Sequence, residues 1–355
     1  MSFIDQLGLD LPLLQAPMAG VSTPALAAAV CNAGALGAIG VGATNAAGAH
    51  DMIAQVQART ERPFNVNVFV HTTPQPDPLQ EAAWLAWLQP LFAQYGAPVP
   101  TTLEAPYTSF NDDPDMLPML LATRPRVISF HFGLPAPEDV QALRNTGAVL
   151  LATVTSLTEA QMAQKAGMDG VVAQGLEAGG HRGLFDAAAP DDGLGVVALT
   201  RLLARWGGCP VVAAGGVMDG AGVAAMLDLG AVAAQLGTAF VACSESGADA
   251  AYRQALMGPA AHHTRLLSCI SGRPARGLAN RWSTLVGPQP MPEPPAYPIA
   301  YAAAKALNTA ARACGETGFG AQWAGQGAPL ARAMPAAELV RTIQSELALA
   351  RMTRG

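Results

Sequence analysis

The chain has 355 residues, 51% of them hydrophobic and 13% charged, with a formal net charge of −6. A composition this apolar excludes a disordered chain and can bury one large core or two smaller ones. The acidic balance, without any Lys/Arg run, excludes the basic footprint of a nucleic-acid binder.

The first ten residues, Met1 to Asp10, carry acids and no basic stretch, so no secretory signal is read there. Residues 11–50 lack Asp, Glu, Lys and Arg, but Gln15, Pro17, Ser22, Thr23, Pro24 and Asn32 interrupt any membrane-spanning run. No membrane partner is expected. The cysteines Cys31, Cys209, Cys243, Cys269 and Cys314 are scattered, odd in number and free of any Cys-x-x-Cys pair. That pattern argues against a disulfide framework and a metal site, and for thiols in a reducing cytoplasm.

Short apolar runs alternate with Ala-rich stretches. Strands are predicted at Leu11 to Gln15, Ala35 to Ile39, Phe64 to Phe69, Val127 to Phe132, Val149 to Val154, Gly170 to Gln174, Pro210 to Ala214 and Val232 to Gln235. Helix starts are read at Ser22-Thr-Pro-Ala, Ser156-Leu-Thr-Glu159 and Asp219-Gly, where a small polar residue can accept from the first free amides. Continuous rather than alternating apolar strands, separated by helices, indicate a parallel sheet covered on both faces. Eight such units predict an α/β protein with a closed (β/α)8 TIM barrel. A doubly wound sheet is disfavoured because no Gly-x-Gly-x-x-Gly turn follows the first strand.

Two stretches exceed what a crossover needs. Residues 70–125 hold Pro-rich turns, a helix with Trp84 and Trp87, and a loop through Tyr107. After the eighth strand, a helix over about 245–257 gives way to a Pro/Gly/Arg-rich region. The expected division is a barrel over 1–257, a smaller inserted domain over 258–332, and a helix within 333–355 that returns to close the barrel. Met162, Met168, Trp84 and Trp87 are read as core packing.

Polar residues then mark one end of the barrel, all but the strand-three asparagines lying at or just past strand ends. Met18 follows strand one, Asn65 and Asn67 lie in strand three, and His131, Gln174 and Gln235 end strands four, six and eight. Gly215-Gly216 follow strand seven. That end of such barrels carries the active site, and its last loops commonly bind phosphate. Pro210-Val-Val-Ala-Ala-Gly-Gly and Gln235-Leu-Gly-Thr supply main-chain donors and a hydroxyl, so a phosphate-bearing cofactor is expected. The stretch Gly175-Leu-Glu-Ala-Gly-Gly-His-Arg-Gly183 places one histidine among four glycines after a strand. Glycines admit a ligand close to the backbone, and an imidazole beside it is suited to proton transfer.

Taken in order, Gln15-Ala-Pro-Met-Ala-Gly20, Phe64-Asn-Val-Asn67, the Gly175–Gly183 stretch, Gly215-Gly-Val-Met-Asp-Gly and Gln235-Leu-Gly-Thr-Ala-Phe resemble the motifs of FMN-dependent nitronate monooxygenases, formerly 2-nitropropane dioxygenases. Ser271-Gly-Arg-Pro-Ala-Arg-Gly277 and Trp323-Ala-Gly-Gln-Gly327 are similar to the class I branch. The resemblance implies non-covalent FMN, with its ring held by Met18, Asn67, Gln174, Gly179, Gly180 and Gln235. Its phosphate would lie at Gly215, Gly216, Gly237 and Thr238. It implies His181 as the catalytic residue, and Tyr107, His131, Tyr297, Tyr301 and Lys305 as the substrate pocket. Tyr297, Tyr301 and Lys305 recur at a spacing of four and are expected on one helical face after a Pro-rich lead-in from Gln289. The implied reaction is oxidation of an alkyl nitronate such as propionate 3-nitronate with O2, giving a carbonyl compound and nitrite. His181 would act as an imidazolium beside the anion or as a base toward a neutral nitroalkane. The alternatives are an NAD(P)H-dependent FMN reductase of enoyl-thioester or quinone type, which shares a similar histidine loop, and a non-catalytic flavin-binding protein.

Overall fold

The apolar runs become parallel strands in the computed structural model, which describes residues 2–286 and 290–352. In chain order the strands are β1 (Leu13–Gln15), β2 (Gly37–Gly40), β3 (Phe64–Phe69), β4 (Val127–His131), β5 (Val149–Val154), β6 (Gly170–Gln174), β7 (Gly180–His181), β8 (Val211–Ala214), β9 (Ala233–Leu236), β10 (Thr264–Leu267) and β11 (Ala275–Leu278). Eight of them form one sheet in the order β1-β9-β8-β6-β5-β4-β3-β2. A parallel bridge between Leu14 and Leu36 joins its two ends, with Gln15 N donating to Leu36 O at 2.8 Å and Leu36 N to Leu13 O at 3.0 Å. The sheet is thereby closed into a TIM barrel.

Helices begin where the sequence offers an acceptor. The side chains of Thr23, Ser156 and Asp219 accept from the amides of Leu26, Glu159 and Gly222, and Pro24 occupies the first turn. Inside the barrel, Leu14, Leu36, Val127, Leu151, Val172, Val212 and Ala233 pack with Phe3 and Leu7 of the first helix. A Cβ on Gly170, at the start of β6, would come 2.8 Å from the Phe3 ring, so glycine there admits the plug. Helix Ala336–Met352 packs against helices Pro24–Asn32 and Gly220–Asp228. Residues 353–355 of the expected closing segment lie outside the described residues.

A second, antiparallel sheet has the order β10-β11-β7. Beside it, helix Ile299–Ala313 packs on helix Pro78–Gln94 around Trp84, Leu88, Phe92, Trp282, Leu307 and Phe319. Both long interruptions of the βα rhythm thus meet in one apolar cluster.

Several local expectations are corrected. Strand β1 starts at Leu13, since the main chain of Leu11 turns back on Gly34. The helix expected over about 245–257 spans only Ala250–Leu256, and a separate short helix, Thr238–Val241, precedes it. Met168 is buried, but Met162 is half exposed on the outer face of its helix. Gln289 lies outside the described residues. All five thiols are free, and among the described residues no helix is long and apolar enough to cross a membrane.

Candidate active site

The C-terminal ends of the barrel strands open into a cavity of about 530 Å³. Met18 reaches its wall from the turn after β1, Asn67 from β3, His131 from the end of β4 and Gln174 from the end of β6. Gly179, Gly180 and His181 come from the segment around β7, Gly215 and Gly216 from the turn after β8, and Gln235, Gly237 and Thr238 from the end of β9. Tyr107, Tyr297, Tyr301 and Lys305 enter from outside the barrel. Every residue singled out as a site candidate therefore borders one space, of a size that holds a cofactor-sized ligand.

One region of the wall is made of main chain. Gly215 and Gly216 have φ of 134° and 69°, values that a side-chain-bearing residue adopts only under strain. The amides of Gly216, Val217 and Thr238 bond to no acceptor among the described residues. Three unbonded donors on a concave wall form a cradle for an oxyanion such as phosphate. A Cβ on Gly327 would come 2.6 Å from the Gly216 carbonyl, and one on Gly179 would come 2.6 Å from the Gly325 amide. The Trp323–Gly327 stretch thus packs against these glycines and lines the cavity beside them, with Gly325 N donating to Thr238 Oγ1 at 2.9 Å.

His181 sits in a cage of rings. Trp323, Tyr297 and Phe132 lie 5.2, 5.3 and 5.6 Å from it, each near edge-to-face. Its Nε2 is 2.9 Å from Ser271 Oγ. Enclosure pushes its pKa down to about 3, with the neighbouring His131 and the Arg273 cation adding to the effect. His131 is likewise pushed down to about 3 by burial and by Arg273, although the main chain of His181 works the other way. Both rings are therefore neutral across the ordinary range of pH. Of the two roles expected for His181, the neutral, proton-accepting one matches this downward shift.

Arg273 is a buried cation. Its guanidinium lies 4.3 Å from the centre of the Phe132 ring, and one nitrogen donates to the Leu184 carbonyl. Burial lowers its pKa to about 10, which leaves it charged. Phe132 has φ of 78°, a strained value for an aromatic residue. Its ring nevertheless touches Phe69, His71, His131, His181 and Tyr297.

Other side chains work through the backbone. Gln174 Nε2 donates to the His181 carbonyl at 2.8 Å, and its Oε1 accepts from Gly183 N at 2.8 Å. The residue thus pins the histidine segment as well as bordering the cavity. Asn67 Nδ2 is spent on Ser129, at 3.1 Å to its carbonyl and 2.9 Å to its hydroxyl. Tyr297 lies just before helix Ile299–Ala313, so only Tyr301 and Lys305 share the expected helical face. Trp323 Nε1 donates to Tyr301 Oη at 3.2 Å, and Tyr252 donates to the Trp323 carbonyl. Ser271, Trp323, Phe132 and Arg273 were not picked out as site residues, although the motifs around positions 271–277 and 323–327 held three of them.

The description nitronate monooxygenase belongs to the family model that matches residues 2–346. A nitronate monooxygenase of Paraburkholderia phytofirmans is 58% identical, over 96% of this chain and 93% of that one. One from Pseudomonas aeruginosa is 54% identical, over 97% and 98%. Among solved structures, a nitroalkane oxidase from Streptomyces ansochromogenes superposes with a TM-score of 0.90 at 42% identity, covering both chains fully. With this geometry and these likenesses together, the chain belongs to the nitronate monooxygenase family of flavin-dependent oxidoreductases.

Proposed function

We propose that the cavity binds FMN without a covalent link and that the chain oxidises small alkyl nitronates with O2 to a carbonyl compound and nitrite. The observation that carries this reading is the make-up of the cavity lining. It joins unbonded amides at Gly216, Val217 and Thr238, a neutral His181, and Lys305 as the one charged side chain among the described lining residues.

The amides and glycines would hold the phosphate, and Met18, Asn67, Gln174, Gly179, Gly180 and Gln235 would border the ring system. When bound, the flavin supplies the electron transfer from substrate to O2. The chain's own groups bind, orient and balance charge. Lys305, steadied by the rings of Tyr107 and Tyr301, meets a carboxylate such as that of propionate 3-nitronate. His131 and Tyr297 shape the space beside the reacting carbon. Where a neutral nitroalkane enters, the neutral His181 ring accepts its α-proton. In this reading residues 1–257 bind the cofactor, 258–332 supply the substrate side and 333–355 close the barrel, in a cytoplasmic enzyme.

Titration of the purified protein without oxygen tests the reading. Bleaching of a yellow protein by nitronate, followed by nitrite release on admitting air, is the expected result. Rapid bleaching by NADH or NADPH with no response to nitronate makes it a reductase. A flavin that answers to neither makes it a binding protein. His181→Ala is expected to lower turnover far more than flavin content.

A further inference from the structure

We propose that Ser271 is a positioning residue that holds His181 with its proton on Nε2, leaving Nδ1 as the bare nitrogen offered to substrate. The inference rests on the reading of His181 as a proton acceptor and supplies the atom that does the accepting.

The argument is a count of protons. Ser271 Oγ lies 2.9 Å from His181 Nε2 and 3.1 Å from the Arg273 carbonyl. A carbonyl only accepts, so the single hydroxyl proton must go to it if that bond is made. The serine oxygen is then an acceptor toward the ring, and Nε2 must carry the proton. The opposite tautomer would need the hydroxyl to donate to Nε2 and would strip the Arg273 carbonyl of its donor. Ser271 is fully buried, out of reach of bulk solvent, so that loss would be a full one.

Nothing competes for the other nitrogen. Among the described residues no group bonds to His181 Nδ1, and the ring borders the cavity. The rings of Phe132, Tyr297 and Trp323 pack edge-to-face around it.

The serine is itself fixed. Ser271 N and Gly272 N both donate to the Ser268 carbonyl, at 3.3 and 2.8 Å, and Gly272 has φ of 85°. A few residues on, Pro274 O accepts from Arg182 N at 2.8 Å, and Ala275 pairs with His181. One turn therefore grips both the main chain and the side chain of the histidine. A base must be presented in its correct tautomer, and a buried hydrogen-bond partner on the far nitrogen is how an imidazole is so fixed.

The test is spectroscopic and needs no turnover. Protein labelled with [15N]histidine is purified as it comes, and long-range 1H–15N correlation distinguishes protonated from bare ring nitrogens. His181→Gln identifies the signal. The expected wild-type pattern is a protonated Nε2 and a bare Nδ1. Ser271→Ala should lose the single-tautomer pattern, with both nitrogens moving toward averaged positions, and Ser271→Thr should restore it. Should the alanine variant not fold, Ser271→Cys, whose sulfur accepts poorly, is read in its place. A proton on Nδ1 in the wild type, or an unchanged pattern in Ser271→Ala, overturns the inference. A wild-type Nε2 proton in a protein that ignores nitronates removes the functional reading and supports the tautomer. Nitronate turnover with the proton on Nδ1 removes the inference alone.

Discussion

The ammonium of Lys305 lies 4.3 Å from the centre of the Tyr107 ring and 5.3 Å from that of Tyr301. Two phenol faces thus hold the cation at the cavity wall, and no carboxylate pairs with it among the described residues. Its charge is left for a ligand. Lys305→Met is expected to raise KM about tenfold for a carboxylate-bearing nitronate, the worth of one charge-assisted bond, and to leave an uncharged nitronate within about twofold. Steady-state kinetics on the two substrates decide it, and equal losses on both would refute the role.

Gly180 separates strain from ligand exclusion. Its φ is 78°, and a Cβ built on it meets nothing within 4 Å, although the residue borders the cavity. Gly147 has φ of 85° and an equally open Cβ, but lies in the turn before β5. Alanine at either position should cost about 1 kcal/mol of stability through the left-handed backbone. Only Gly180→Ala is expected to lose flavin, read as the absorbance ratio of the purified variants.

Three histidines set the acid side of the stability curve. Burial holds His71 down to about 4, while His131 and His181 lie at about 3, with the Arg273 cation lowering all three further. Unfolded histidine titrates near 6.5, so below that pH the unfolded chain takes up protons that the native state refuses. Stability is therefore full above about 6.5 and falls as pH drops toward 4. Chemical denaturation at a series of pH values should show this slope, and His71→Phe should reduce it by about one proton. For the same reason the pH profile of kcat/KM should lack an acidic limb near 6.5.

Arg182 clamps the histidine segment from below. Its side chain is 1% exposed and binds Asp191 at 2.7 Å, as well as the carbonyls of Gln174 at 3.0 Å and Gly175 at 3.2 Å. Asp191→Ala strands a buried guanidinium and is expected to cost about 3 kcal/mol, whereas Arg182→Met with Asp191→Ala should cost less. Thermal melts of the single and double variants check the order.

Much of this was legible because it is local or periodic. The eight barrel strands read as continuous apolar runs, and Thr23, Ser156 and Asp219 announced their helices by the acceptors they carry. Residues at strand ends share one face of any such barrel, which is why Met18, His131, Gln174 and Gln235 could be grouped. Ser271 was not legible, because its partner is 90 positions away and the contact exists only once β11 lies beside β7. The strand β7 itself is two residues, Gly180–His181, with no β-forming signature, and it is a strand only through that pairing. Tyr297 was placed on a helix by spacing alone, yet the helix starts at Ile299, so the residue meets the cavity from its lead-in. Phe132 gave no sign in sequence, since its role depends on a backbone angle that aromatic residues seldom adopt.

The borrowed strand has an implication for biosynthesis. Edge pairing for β7 is supplied by residues 275–278, roughly a hundred positions later in the chain. A nascent polypeptide emerging from the ribosome can lay down every stave of the barrel well before this pairing segment appears. A product terminated before residue 275 would carry every barrel strand yet lack the partner that draws His181 into a strand.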